Sequence, residues 1–301
     1  MKKILKWTGI VLFALVLVIL ASSWLLSRSF NSQFNKVYEL TPAPVSIPTD
    51  SASIARGMAL SGGCQTCHAK DLAGEVFFDD PKIGSLPSSN LTRAAGSETE
   101  SYTDEDFVRA IRHGLNKQGN PLMIMPSDSY AHLSDEDLGS LIAYIKSLQP
   151  IERTFAGRKF TYMAQVMAGA GLFGEMFPYN KIDHDKAKNV TGPPVSNGLD
   201  YGKYVVSWDG CTNCHGANLG GGKSPDPVSP PVPDISKSGP SSEWTLEGFT
   251  NFFRTGTTPF GKAVDSKFMP YQGLGALTDM EIEAVYNYIH SLPPANPAPA
   301  Q

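Results

Sequence analysis

Cys64-Gln65-Thr66-Cys67-His68 and Cys211-Thr212-Asn213-Cys214-His215 are one pentapeptide pattern written twice, 147 residues apart. The repetition continues downstream. Met125-Pro126 is matched by Met269-Pro270 at an offset of 144. From there the register runs unbroken through Leu133-Ser134-Asp135 against Leu277-Thr278-Asp279, Tyr144-Ile145 against Tyr288-Ile289, and Ser147-Leu148 against Ser291-Leu292. A period this long means duplicated domains, not a solenoid. Local signals give both copies one helical skeleton. Ser134 and Thr278 read as N-caps, with Asp137 and Glu281 as capping-box partners three residues on. Leu138, Leu141, Ile142 and Ile145, like Ile282, Val285, Tyr286 and Ile289, then fall at helical spacing. Thr103 and Thr245 open shorter helices over Phe107–Ile111 and Phe249–Phe253. A further helix near Ile54–Leu60 or Tyr201–Val206 leads into each pentapeptide. No alternating strand run competes with these helices.

C-x-x-C-H is the attachment motif of c-type haem. Two thiols about one helical turn apart can each bond a porphyrin vinyl group, and the adjacent histidine then lies beneath the iron. The pattern uses all four cysteines of the 301-residue chain. A Cys₄ zinc site would instead have to join pairs from two separately capped domains and would leave both histidines unexplained. Thioredoxin-type motifs sit at the helix start of a βαβ unit that is absent here; simple disulfides would ignore the histidines as well. Expected haem-binding residues are therefore Cys64, Cys67, Cys211 and Cys214, with His68 and His215 as proximal iron ligands. For the opposite face, methionine is the usual partner of histidine and raises the reduction potential. Met125 and Met269 both precede proline and stand nine residues before an N-cap. Met123 competes with Met125 but has no mate in the second copy. His113, His132, His184 and His290 lie outside the motifs and read as surface or packing residues. Asn90-Leu91-Thr92 and Asp234-Ile235-Ser236 read either as propionate donors or as polar turns. Asp104-Glu105-Asp106 suits a helix N-terminus.

The amino terminus sets the compartment. Trp7 to Leu26 is a run of 20 residues without a charge, about 30 Å as a helix and enough to cross a bilayer's hydrocarbon core. A cleaved signal is the competing reading, with Ala21-Ser22-Ser23 as the cut; the apolar run continues past it, and signal cores are shorter. Lys2, Lys3 and Lys6 precede the run and Arg28 follows it, which leaves the remainder outside the cytoplasm. The expected location is the cytoplasmic membrane, single-pass, with both haem domains in the periplasm or outside. The chain carries a net charge of −4, so no basic field exists for nucleic acid. Eight basic against thirteen acidic residues over 51–150, and six against ten over 196–301, make both halves acidic.

With GGCQTCH, LMIMP and LSDEDLGSLIAYIKSL in one half, and DGCTNCH, KFMP and LTDMEIEAVYNYIHSL in the other, the chain resembles membrane-anchored dihaem c-type cytochromes. Each half resembles a class I cytochrome c domain. It is also similar to cytochrome subunits of membrane-bound alcohol and gluconate dehydrogenases, which usually carry three such motifs where this chain has two. The resemblance implies a mainly α fold: a membrane anchor or signal over 1–30, cytochrome c domains over 51–150 and 196–293, a connector over 151–195, and a disordered tail over 294–301. Within the connector, Tyr162–Phe173 is apolar enough for a short helix packed against a haem domain. The implied function is electron transfer between redox protein partners, a dehydrogenase or respiratory complex and a downstream acceptor, with two covalent haem c groups and no catalytic residue. The alternatives are a dihaem enzyme, peroxidase-like or thiosulfate-oxidising, and a haem-based sensor; both need an iron with an open position.

Overall fold

Side-chain caps open six of the helices in the computed structural model, which describes residues 2–224, 229–274 and 276–295. Helix α1 (Lys2–Phe34) contains the apolar run. Asp50 caps α2 (Ser51–Leu60), which leads into α3 (Gly62–His68), the helix of the first pentapeptide. Strands β1 (Val76–Asp80) and β2 (Gly84–Pro87) follow. Thr103 and Asp106 form a reciprocal box at the start of α4 (Asp104–His113), whose first turn is acidic as expected. Then come α5 (Ser127–Tyr130), α6 (Asp135–Ser147), β3 (Lys159–Phe160) and α7 (Tyr162–Gly169). The second half repeats the order with α8 (Leu199–Trp208), α9 (Cys211–His215), α10 (Leu246–Thr255), α11 (Tyr271–Leu274) and α12 (Asp279–Ser291). The chain is mainly helical: an apolar N-terminal helix and two helical halves of matching order.

In both halves the helix before the pentapeptide packs on the closing helix, α2 on α6 and α8 on α12. The approach is close enough that a Cβ at Gly57 would collide with the Ser140 carbonyl, and one at Gly202 with that of Ala284. Leu138, Leu141, Ile142, Val205 and Ile282 are fully buried in one core that both halves share. Short helices cross between halves: α11 packs on α3, and Ser129 of α5 accepts a 2.9 Å hydrogen bond from the Asn213 amide. At the seam the Arg56 guanidinium meets Asp137 at 2.8 Å and Glu281 at 2.5 Å. The Tyr204 hydroxyl donates to Asp137 at 2.6 Å, and Tyr201 donates to Glu281 at 3.2 Å.

That seam changes one expected cap. Glu281 completes the box at Thr278, but Asp137 does not return to Ser134. Both of its carboxylate oxygens are engaged by Arg56 and one also by Tyr204, and Tyr204 instead accepts the Ser134 N–H.

Strands also appear where none was read: an antiparallel sheet in the order β1-β2-β3. Strand β3 supplies only Lys159 and Phe160, from the connector, so its pairing is long-range and leaves no local pattern. The connector is woven into the first half elsewhere too, through Ile124 N–H to Met176 O and Asp135 N–H to Val190 O. Helix α7 exists within the expected span; it packs chiefly against α1, and its Ala168 also joins the cluster that holds Leu86 and Met123 of the first half. The tail expectation falls mostly outside the described residues, since 296–301 are not among them. Ala295 still donates its N–H to Ser238 at 3.1 Å.

Candidate functional site

Helix α3 starts at Gly62 and places Cys64, Cys67 and His68 on one short turn-and-a-half. These three side chains, with Met125, line a single cleft in the first half. The rest of the wall is largely apolar, with Phe77, Leu86, Phe107, Ile111 and Leu141 among its members. This lining suits a flat, mostly apolar group.

His68 fixes the chemistry. Its Nδ1 lies 2.7 Å from the Ser89 carbonyl oxygen. A carbonyl can only accept, so Nδ1 carries the proton and Nε2 keeps a free lone pair. The second half repeats the device with His215 Nδ1 and the Pro233 carbonyl at 2.9 Å. Burial holds both imidazoles below the usual histidine range, so both rings are neutral. Burial also pushes the Cys64 thiol up to about 11 and raises Cys67, Cys211 and Cys214. None of the four cysteines is in a disulfide. Among the described residues no three His, Cys, Asp or Glu side chains gather as a metal cage. Each half therefore presents two thiols and one neutral imidazole, not a four-cysteine site.

Met125 and Met269 occupy equivalent turns. Ser127 N–H returns to Met125 O at 2.7 Å, and Tyr271 N–H returns to Met269 O at 2.7 Å. Both methionines are half-buried against the shared core. Met123 also borders the first cleft but packs with Phe30, Leu86 and Phe177. Between the two methionines Ile124 is held at φ 66°, a strained value for a β-branched residue.

Three further residues carry no motif signal. Tyr102, just before the Thr103 cap, lines the first cleft, and so does Arg158 of the connector, 3.6 Å from Glu98. Trp244 holds the position of Tyr102 before Thr245, and its buried indole N–H has no hydrogen-bond partner. An unpaired buried donor is costly, and a ligand carboxylate would satisfy it. The aromatic before each capping threonine was the sequence signal available.

Asn90 and Asp234 resolve as polar turns. Asn90 donates to Ile151 O at 2.8 Å while its Oδ1 accepts from Thr92 N–H, and Asp234 accepts from Ser236 N–H at 2.7 Å. His132 is exposed, and His290 bonds its own helix at Tyr286 O. His113 is buried and paired Nδ1 to Nδ1 with His184 at 3.0 Å, a contact between two residues that sequence reading treated singly.

The cytochrome c family profile matches residues 54–149 and 199–293. The chain is similar to the fructose dehydrogenase cytochrome subunit of Gluconobacter japonicus, 26% identical over 283 residues, covering 84% of this chain and 54% of the relative. It is similar to the cytochrome c subunit of the quinone alcohol dehydrogenase of Gluconacetobacter polyoxogenes, 26% identical over 279 residues, covering 83% and 58%. A diheme cytochrome c-type protein of Cereibacter sphaeroides is 23% identical over 269 residues, covering 81% and 87%. The chain thus spans little more than half the length of the two dehydrogenase subunits. Two profile matches, each laid over a pentapeptide and its Met-Pro turn, make the chain a member of the cytochrome c family.

Proposed function

We propose that this chain is a membrane-anchored electron carrier with two covalently bound haem c groups, acting as the cytochrome subunit of a membrane-bound dehydrogenase. The observation that carries this reading is the repeated histidine geometry: in each half a carbonyl claims Nδ1 and frees Nε2, beside two thiols on the same helix. In the first half Cys64 and Cys67 would hold the group, with His68 and Met125 as axial ligands. In the second, Cys211 and Cys214 would hold it, with His215 and Met269.

When bound, haem supplies one-electron exchange at its iron. The protein's residues do the rest. The Ser89 and Pro233 carbonyls fix ring orientation and increase imidazole basicity. Phe107, Ile111 and Leu141 exclude water from the first cleft. Tyr102, Arg158 and the unpaired Trp244 N–H supply donors for carboxylates. With a histidine and a methionine both holding each haem, no position would remain for substrate, which favours a carrier over the peroxidase-like alternative.

The dehydrogenase partner is read from relatives named as dehydrogenase subunits. The placement outside the cytoplasmic face is read from the lysines before the apolar run. Haem quantified after acid–acetone extraction should stay with the polypeptide at two per chain. A value of one or none refutes the dihaem reading. Affinity purification from native membranes should recover a dehydrogenase, and its absence refutes the partner assignment alone.

A further inference from the structure

We infer that α7 and the turn after it form a second membrane contact, lying in the lipid interface of the leaflet from which α1 emerges. The inference rests on the proposal that α1 spans the membrane; α1 is long and apolar enough to do so.

The position of α7 comes from its contacts with α1. Tyr162 donates its hydroxyl to Ser23 Oγ at 3.0 Å. Gln165 accepts from Ser27 Oγ at 2.8 Å and from the Asn31 amide at 2.7 Å. A Cβ at Gly169 would collide with the Leu26 carbonyl. These partners bracket Leu26, the last residue of the apolar run. Ser23 lies three residues inside that end, about 4.5 Å of helix rise. Helix α7 is therefore fixed at the depth where the anchor leaves the hydrocarbon.

Its surface suits that depth. Residues 160–174 contain no charged side chain. Tyr162 is 53% exposed, Met163 62% and Leu172 59%. Trp24, 56% exposed on α1, lies at the same level. Exposed apolar residues grouped in this way, with tyrosine and tryptophan beside them, match the composition of a membrane interface better than that of a water-facing loop. Continuity with the anchor commits the surface to lipid and not to a soluble partner.

Behind this contact, Phe160 and Phe177 pack on Phe30 of α1, which shares a cluster with Leu86 and Met123 of the first cleft. Two lipid contacts joined through that cluster would hold the first cleft at a set height and tilt.

The test uses three methionines of similar exposure in one chain. Met163, Met58 (54%) and Met280 (47%) report on different surfaces, and methionine oxidation follows access to the oxidant. The full-length protein is placed in phosphatidylcholine nanodiscs at one chain per disc, treated briefly with hydrogen peroxide, and read by peptide mass spectrometry. Met163 should oxidise severalfold more slowly than Met58 and Met280. Equal rates for all three, in protein that has entered the discs, overturn the inference while the anchor stands. Protection found only in discs carrying two chains overturns it in favour of self-association. Failure to enter the discs overturns the anchor reading and this one together.

Discussion

Replacing Arg56 by methionine strips the counter-charge from two carboxylates that belong to opposite halves. The Glu281 side chain is only 2% exposed and that of Asp137 13%, while Arg56 itself is 24% exposed. Removing one partner of a buried ion pair costs about 3–5 kcal/mol, chiefly because the other charge stays behind uncompensated. Water reaches part of the guanidinium, so the low end applies, about 3 kcal/mol. Thr278 and Tyr204 keep hydrogen bonds to the two carboxylates, which limits the loss further. The assay is urea unfolding of the haem-loaded protein at neutral pH, followed by circular dichroism. Glu281→Gln and the double variant complete a cycle. The double variant should lose less than the sum of the singles by at least about 1 kcal/mol, as contacting residues do. Additive losses, or a single-variant cost below about 1 kcal/mol, would refute the claim that Arg56 joins the halves.

Met125→Leu or Met269→Leu should lower the reduction potential of one centre and leave the other nearly unchanged, as a spectroelectrochemical titration would show. Burial, with His184 and then Arg112 nearby, holds His113 down to about 4 against an unfolded value of 6.5. The unfolded chain therefore takes up a proton that the folded chain refuses. Stability should be full above the unfolded value and fall as pH drops from 6.5 towards 4, by at most about 3 kcal/mol; His113→Phe should flatten that slope in denaturation curves measured across the range. Gly57→Ala and Gly202→Ala should each cost about 1–3 kcal/mol by forcing helix pairs apart, read as a drop in thermal midpoint.

What could be read from sequence was contiguous in it. The pentapeptides, the Met-Pro turns and the threonine caps each occupy a few adjacent residues, and duplication let one copy check the other. What could not be read is contact between distant residues. Arg56 finds its partners 81 and 225 positions away. Asp137 carried the right spacing for a capping box, but Arg56 and Tyr204, both distant in sequence, engage its carboxylate instead. Strand β3 is two residues long and exists only because β2 is beside it. Helix α7 was visible as apolar, but its neighbour 138 residues upstream was not. Arg158 stands in a connector with nothing to mark it as part of a cleft wall.

The crossed bracing of the halves constrains the order of biogenesis. Helix α11, which follows Met269, lies on α3, and α5, which follows Met125, reaches the Cys211 helix through Ser129 and Asn213. Tyr130 presses on Cys64 from the same short helix. A chain that closed these contacts first would restrict access to Cys64 and Cys211, which are only partly exposed once the halves are docked. On the proposed reading, haem attachment to both halves therefore belongs before their docking, while the chain is still open. The second half, translated last, then sets the moment at which the first can finish folding.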